Sequence, residues 1–329
     1  NAASCLLALG ENKMTKRIAI LSGGDSSEAE VSRNSGRAIE KALSQRYSQI
    51  KQIELDKEII SQLLAFEPDV IFPALHGPPG EDGTVQGMLE LLGFPYVGSG
   101  VKSSAVAMDK ILAKQIFKEA GLPLAKHVIA NQESDTFDLL KKITSTLGNN
   151  ICIKPPNQGS ALGVTLISKA EDIEAALNDA FKFGSKVLVE ERVFGREITV
   201  GLLDTEEGVK AFPLIEVTTP KDTWYDYKHR YTVGLSNHVI PARIPSELSL
   251  SIQACAIEAH RALGCRDLSR ADFLVRGDEY FLLEINTLPG MTGTSLYPEG
   301  AEGFGMNFPQ LLDHLIDRAF RRGLTTNLK

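Results

Sequence analysis

Four polar residues near the end of the chain have a spacing that could do chemistry. In RADFLVRGDEYFLLEIN, residues 270–286, Arg270 and Asp272 lie two apart, and so do Glu284 and Asn286. Residues two apart on a strand share a face. Gly277-Asp278 marks a turn between the two apolar runs. A three-residue loop over 277–279 pairs Arg276 with Tyr280. Asp272 then opposes Glu284, and Arg270 opposes Asn286, with facing Cβ atoms about 5 Å apart. A two-residue loop would set Asp272 against Leu283 and put the acids on different faces, so the expectation is the three-residue loop, a common form with glycine. Carboxylates held that close raise one another's pKa. A hard cation, Mg2+ or Mn2+, relieves the conflict, with water and phosphate oxygens completing its shell. The plainer alternative is a structural salt bridge between Arg270 and Asp272, and the spacing leaves both open.

A metal with so few protein ligands needs a phosphate partner. CIKPPNQGSALGV places Lys154 at a strand end before a loop with Gly159, Ser160 and Gly163. Such a loop can present N–H groups and a hydroxyl to phosphate. It lacks the GK[ST] ending of a Walker A motif. Lys110, in the first turn of a helix, is a second phosphate candidate, although an exposed helix lysine is the simpler reading. VLVEERVFGREITV contains Glu190 and Glu197 in an apolar stretch broken by a turn. A hinge there could hydrogen-bond a base edge, and a carboxylate could hold ribose hydroxyls, as in dinucleotide sites. His76 ends the strand DVIFPAL, where ligands bind in open α/β sheets; fixing the HGPPGED turn is its simpler role.

These residues must be positioned by a sizeable fold. The chain has 329 residues, 43% apolar, which calls for two or three domains. The formal net charge of −7 comes with no Lys/Arg tract, which disfavours nucleic acid. No apolar run is long enough to span a membrane. Cys5, Cys152, Cys255 and Cys265 are scattered, as expected of free thiols in a reducing cytoplasm. Residues 1–13 read as a tag remnant or the end of an upstream fused segment, such as a preceding enzyme domain, with a domain starting at Met14.

Strand and helix signals alternate over RIAIL, SEAEVSRNSGRAIEKAL, SQIKQIEL, PDVIFPAL, DGTVQGMLELLG and PYVG. That pattern predicts a parallel α/β domain over 14–107. Asp109 caps the helix KILAKQIFKEA, whose apolar positions Leu112, Ile116 and Ala120 recur every fourth residue, and Gly121 and Pro123 stop it. Strands and a helix follow to about 194. From 195 the pattern turns antiparallel and ends in the hairpin and a last helix, FPQLLDHLIDRAF. TTPKDTWYDYKHRYTVG is a long polar, aromatic loop, as lids are.

LHGPPGEDGTVQGMLELLGFPYVGSG, AMDK, IKPPNQGSALGV, WYDYKHRY, RADF and LLEINTLPGMTGTSL occur in this order from about 17 to 320. The series resembles the D-alanine–D-alanine ligases of the ATP-grasp superfamily. The resemblance implies an α/β fold with an N-terminal parallel, Rossmann-like domain over 14–107. A two-lobed α+β ATP-grasp unit would follow over 108–194 and 195–329. It implies ATP, two Mg2+ or Mn2+ ions, two D-alanine molecules, a homodimer, and a cytoplasmic role in peptidoglycan precursor synthesis. Position by position it implies Lys110 and Lys154 as phosphate lysines, and Glu190, Glu191 and Val193 in the adenine hinge. Glu197 would hold the ribose. Asp272, Glu284 and Asn286 would be the metal ligands, with Arg270 at the reacting centre. Glu28, Ser160 and Tyr231 would form a hydrogen-bonded trio in the substrate site, which His76 lines. Gly290, Ser295 and Leu296 would hold the second D-alanine's carboxylate. Two positions depart from the family pattern. Ala161 stands where a second serine is common, and Arg230 where many members carry lysine, which keeps the charge but adds a fork.

The implied chemistry joins two anions, so charge neutralisation dominates its barrier. A carboxylate attacks the γ-phosphate, and an amine then attacks the acylphosphate. Arg270 and the Gly290 N–H are placed for the oxyanion; no residue stands out as the proton acceptor. A lid carrying Arg230 and Tyr231 would exclude water. Three rival readings remain: the same chemistry with D-serine or D-lactate as acceptor, against which Tyr231 argues by the resemblance; a non-catalytic nucleotide-binding module; and a dehydrogenase, which LSGGDSSE disfavours because it lacks G-x-G-x-x-G.

Overall fold

The computed structural model of the chain describes residues 14–220, 229, 232 and 234–323. Tyr231, Arg230 and the residues before Met14 lie outside them.

The first unit is a parallel sheet in the order β2-β1-β3, formed by β1 (Met14–Ser22), β2 (Tyr47–Glu54) and β3 (Val70–Pro73). PYVG, expected as a strand, contributes only the isolated bridge Ile71–Tyr96. Ile18, Ala19, Ile20 and Leu21 are fully buried, because the central strand is covered on both faces. Ala19 and Leu21 pack with Ile59 and Leu63 of α2 (Ile59–Phe66) and Leu89 of α3 (Thr84–Leu92). Ile18 and Ile20 face the other way, onto Ile39 and Leu43 of α1 (Ala29–Leu43). The same face receives Leu311, Leu312, Leu315 and Ile316 of α10 (Phe308–Arg322), the last helix among the described residues, which follows α9 (Leu296–Gly303). Part of the cover on one face of the first sheet therefore comes from the far end of the sequence. Asp267, fully buried, fastens this closure: it accepts hydrogen bonds from the Gly98 N–H at 2.8 Å and from the Arg322 guanidinium at 2.5 and 2.9 Å.

After α4 (Val101–Met108), Asp109 caps α5 (Lys110–Glu119), accepting from the N–H groups of Ile111 and Leu112. The buried stripe of α5 differs from the expectation. Ile111, Ala113, Lys114 and Phe117 face inward, whereas Leu112 is 44% exposed. A lysine lies on the core side of this helix.

The second sheet is antiparallel, in the order β4-β7-β5-β6: β4 (His127–Asn131), β5 (Ile151–Lys154), β6 (Thr165–Ile167) and β7 (Lys186–Glu191). Val128, Ala130, Ile151, Ile153, Val187 and Val189 pack on α6 (Thr136–Leu147) and α7 (Ile173–Ala180). Strand alternation therefore turns Cys152, Lys154 and Glu190 to the opposite face.

The third sheet runs β11-β10-β8-β12-β13, with β9 on β8. Its strands are β8 (Arg196–Thr205), β9 (Gly208–Ala211), β10 (Ile215–Thr218), β11 (Asn237–Val239), β12 (Leu268–Arg276) and β13 (Glu279–Asn286). Helix α8 (Ser246–Ala262) covers Ile198, Val200, Ala271, Phe273, Leu282 and Ile285. The hairpin turn corrects the expectation: Arg276 pairs with Glu279, so the loop has two residues, Gly277 and Asp278. Gly277, at φ 60°, takes the left-handed conformation that the first central residue of a tight hairpin needs. Yet Asp272 still opposes Glu284, and Arg270 still opposes Asn286. A β-bulge reconciles the two: the register shifts between Asp272 and Phe273, leaving Leu283 as the extra residue. In an unbroken ladder Leu282, Glu284 and Asn286 would share a face. The bulge sends Leu282 and Ile285 under α8 and turns Glu284 and Asn286 out to the cleft.

Candidate active site

The second and third sheets face each other across a cavity of about 610 Å3. Lys110, Lys154, Glu190, Glu191, Val193 and Glu197 line it, together with Glu284. Cys152, Leu166, Leu274 and Leu283 supply an apolar wall. A second cavity of about 270 Å3 adjoins it, and Ser160 and Glu284 line both. Glu28, His76, Arg270, Asn286, Gly290, Ser295 and Leu296 border the second. Asp272 borders a small recess between them with Glu197 and Glu284.

Each position follows from its element. Arg270 and Asp272 sit on the cleft side of β12 because Ala271 and Phe273 are buried under α8. The Arg270 guanidinium clasps Asp272 through two bonds of 2.8 Å. The Thr199 hydroxyl donates to Asp272 Oδ1 at 2.6 Å, and the Asn286 amide donates to Oδ2 at 3.2 Å. Lys110 Nζ lies 3.0 Å from Glu284 Oε2 and donates to the Gln158 carbonyl at 2.8 Å. The salt bridge weighed from the sequence is thus formed.

Two carboxylates and an amide converge on one face, an all-oxygen set that suits a hard cation whose shell phosphate completes. Arg270 and Lys110 now balance those carboxylates and would have to yield to the ion. No group of three His, Cys, Asp or Glu side chains forms a cage among the described residues. The residues fit an ion that arrives with its phosphate ligands.

On the second sheet Glu190 stands between two ammonium groups. Lys114 Nζ is 2.7 Å from Oε1, and Lys154 contacts Oε2. Burial alone would raise the Glu190 carboxyl, but the two lysines outweigh it and hold it at about 2. Burial lowers Lys114, partly offset by Glu190. Lys154 also loses hydration, yet Glu190 more than compensates and raises it. The side chain of Glu190 therefore points to lysines, while its strand continues into the Glu191–Val193 wall.

Around the smaller cavity, the Ser160 hydroxyl donates to Glu28 Oε1. Ser160 and Ala161 both take left-handed φ values, 48° and 60°, a strain that clusters at functional loops. His76 is buried, with Nε2 3.2 Å from the Ser35 hydroxyl. Burial lowers its pKa, with Arg270 adding to the shift and Glu28 opposing it. Ser295 Oγ accepts the Thr292 N–H at 3.0 Å and lies 2.8 Å from the Thr292 hydroxyl.

Three neighbours were not anticipated from the sequence. Glu81 lines the smaller cavity, accepts the Gly77 N–H at 2.6 Å and is pushed up to about 8, chiefly by burial and by Glu28. Its one sign in the sequence is the GED that follows the histidine in HGPPGEDG. Lys114 was hidden in an amphipathic helix; its spacing of three from Ile111 and Phe117 was the available sign. Thr199 carried none.

Two family models match the chain: the D-ala D-ala ligase C-terminus over residues 116–317 and the D-ala D-ala ligase N-terminus over 60–99. The D-alanine–D-alanine ligase of Desulforudis audaxviator is 44% identical over 310 residues, covering 94% of this chain and all of that protein. That of Desulforamulus reducens is 42% identical, with 94% and 100% coverage. Among solved structures, the D-alanine–D-alanine ligase of Bacillus anthracis complexed with ATP superposes with a TM-score of 0.80 at 31% identity. It covers 94% of this chain and 98% of that one. The VanG D-Ala:D-Ser ligase of Enterococcus faecalis gives 0.79 at 31% identity, with 93% and 100% coverage. With these matches spanning both cavities, the chain belongs to the D-alanine–D-alanine ligase family.

Proposed function

We propose that the chain joins two D-alanines at the expense of ATP, through an acylphosphate, with the nucleotide in the larger cavity and the amino acids in the smaller. The observation that carries this reading is the meeting of the two cavities at Ser160 and Glu284, where a γ-phosphate and a carboxylate would come together. In this reading the second and third sheets belong to the two lobes of an ATP-grasp unit, and the parallel sheet supplies Glu28 and His76 to the substrate.

The base would lie against Leu166, Leu274 and Leu283, with its edge at the Glu191–Val193 backbone and the ribose at Glu197. Lys110 and Lys154 would hold phosphates, the charge neutralisation that phosphoryl transfer requires. Asp272, Glu284 and Asn286 would hold divalent ions, which supply further neutralisation when bound. Glu28, which lines the smaller cavity, would receive the first alanine's ammonium. Arg270, released from Asp272, would pair with the carboxylate oxygens of the reacting centre. The Gly290 N–H would stabilise the tetrahedral oxyanion, and Ser295 would hold the second carboxylate. Tyr231 and Arg230 would close over the phosphates. The product is a peptidoglycan precursor dipeptide.

ADP release with ATP and Mg2+ tests the reading, comparing D-alanine, L-alanine, D-alanine with D-serine, and no amino acid. Turnover dependent on D-alanine, yielding D-alanyl-D-alanine, supports it. ATP binding without D-alanine-dependent turnover refutes it, and preferential formation of the mixed D-alanyl-D-serine product reassigns the acceptor. No helix among the described residues is long and apolar enough to cross a membrane.

A further inference from the structure

We propose that Lys114 is a positioning residue for the nucleotide step: it balances Glu190, so that Lys154 can leave that carboxylate for a phosphate oxygen. The inference rests on the nucleotide reading of the larger cavity.

Glu190 is 2% exposed and sits mid-sheet, with its side chain on the cleft face. Two ammonium groups share its single charge, one more than balance requires. They differ in where they stand. Lys154 lines the cavity alongside Glu190. Lys114 rises from the core side of α5, 1% exposed, behind the cavity wall, with Nζ 3.5 Å from the Leu282 carbonyl of β13. From there it reaches Glu190 but not the nucleotide space.

The arrangement divides the work. Taking one partner from a buried ion pair strands the other charge, at a large cost. If Lys154 alone faced Glu190, a phosphate could recruit it only by leaving a bare carboxylate in the protein interior. With Lys114 in place, the departure of Lys154 leaves a balanced pair behind. Lys114 acts through Lys154 and touches no substrate. Its contact with β13, two residues before Glu284, places this device at the junction of the two sheets.

The experiment uses the full chain with Lys114→Met, which keeps the stem and removes the charge. Two constants are read: the KM for ATP with saturating D-alanine, and the Ki of adenosine, which lacks phosphates. The expected result is an ATP KM raised about 10- to 100-fold, with the adenosine Ki within about two-fold of wild type. Lys114→Arg should hold ATP KM within about three-fold. A folded Lys114→Met with an unchanged ATP KM overturns the proposal, as does equal weakening of ATP and adenosine, the mark of a purely structural lysine. Should that variant not fold, Lys114→Met/Glu190→Gln carries the test, because it strands no charge. An ATP KM matching Glu190→Gln alone supports the proposal, and a further increase of about ten-fold overturns it. Failure of the wild-type chain to turn over ATP would refute the nucleotide reading itself, a separate outcome.

Discussion

Replacing Gly290 by alanine puts a methyl group where the Ser295 hydroxyl now lies. A Cβ built on Gly290 would stand 2.7 Å from Ser295 Oγ, well inside a van der Waals contact of about 3.5 Å. The hydroxyl would have to swing away, and it is not free to do so without loss. It accepts from the Thr292 N–H at 3.0 Å and lies 2.8 Å from the Thr292 hydroxyl. Two hydrogen bonds at about 1 kcal/mol net each amount to about 2 kcal/mol, or roughly 30-fold in an equilibrium constant. If Ser295 holds the second D-alanine, the loss falls on that substrate alone. Initial rates of ADP release against D-alanine concentration should show the weaker of the two D-alanine constants raised about 30-fold in Gly290→Ala, with ATP KM unchanged. Ser295→Ala should show the same pattern, and the double variant should add little, because both changes remove one interaction. Unaltered D-alanine kinetics in Gly290→Ala, or an equal rise in the ATP constant, would refute the reasoning.

Glu81 titrates near 8 in the folded chain, above its ordinary value of 4.5. Folding therefore favours its protonated form. That stability is complete below about pH 4.5 and is lost as pH rises toward 8, because the unfolded chain gives up the proton first. Glu81→Gln keeps an acceptor for the Gly77 N–H and removes this loss, so in the nucleotide-free enzyme its Tm should exceed wild type by about 5 °C at pH 8 and match it near pH 4.5; a pH-independent difference would contradict the assignment. Leu315→Ala empties a fully buried position between α10 and the first sheet, and should cost about 3 kcal/mol in denaturant unfolding. A loss below about 1 kcal/mol would mean that the helix does not seal that face.

Parts of this structure were legible in the sequence for physical reasons that can be named. The Asp109 cap, the parallel first sheet and the end of α5 at Gly121 follow from local chemistry, and local chemistry survives in any fold. The hairpin is more instructive. Asp272 pairs with Glu284 as the shared-face argument predicts, although the loop is one residue shorter than expected, because a bulge at Leu283 adds back what the shorter turn removes. A turn signal cannot report a bulge five residues away; only the demand that two acids share a face could. The inward face of α5 differs from the one periodicity predicts because Leu112 is the more apolar residue, while the ion pair to Glu190 is what draws Lys114 inside. Periodicity ranks side chains by their affinity for oil. It is silent when a buried carboxylate on another strand makes a lysine belong there.

The pairing of the last helix with the first sheet also sets an order of events at the ribosome. Ile18, Ile20 and Phe72 leave the exit tunnel early, but α10 begins at Phe308. At synthesis rates of about 5–20 residues per second, the first sheet waits roughly 10 to 50 seconds for its second cover. During that interval only α1 shields one face of an apolar parallel sheet, so nascent chains that stall before Phe308 should be the species that ribosome-associated chaperones hold and that clump when such help is scarce.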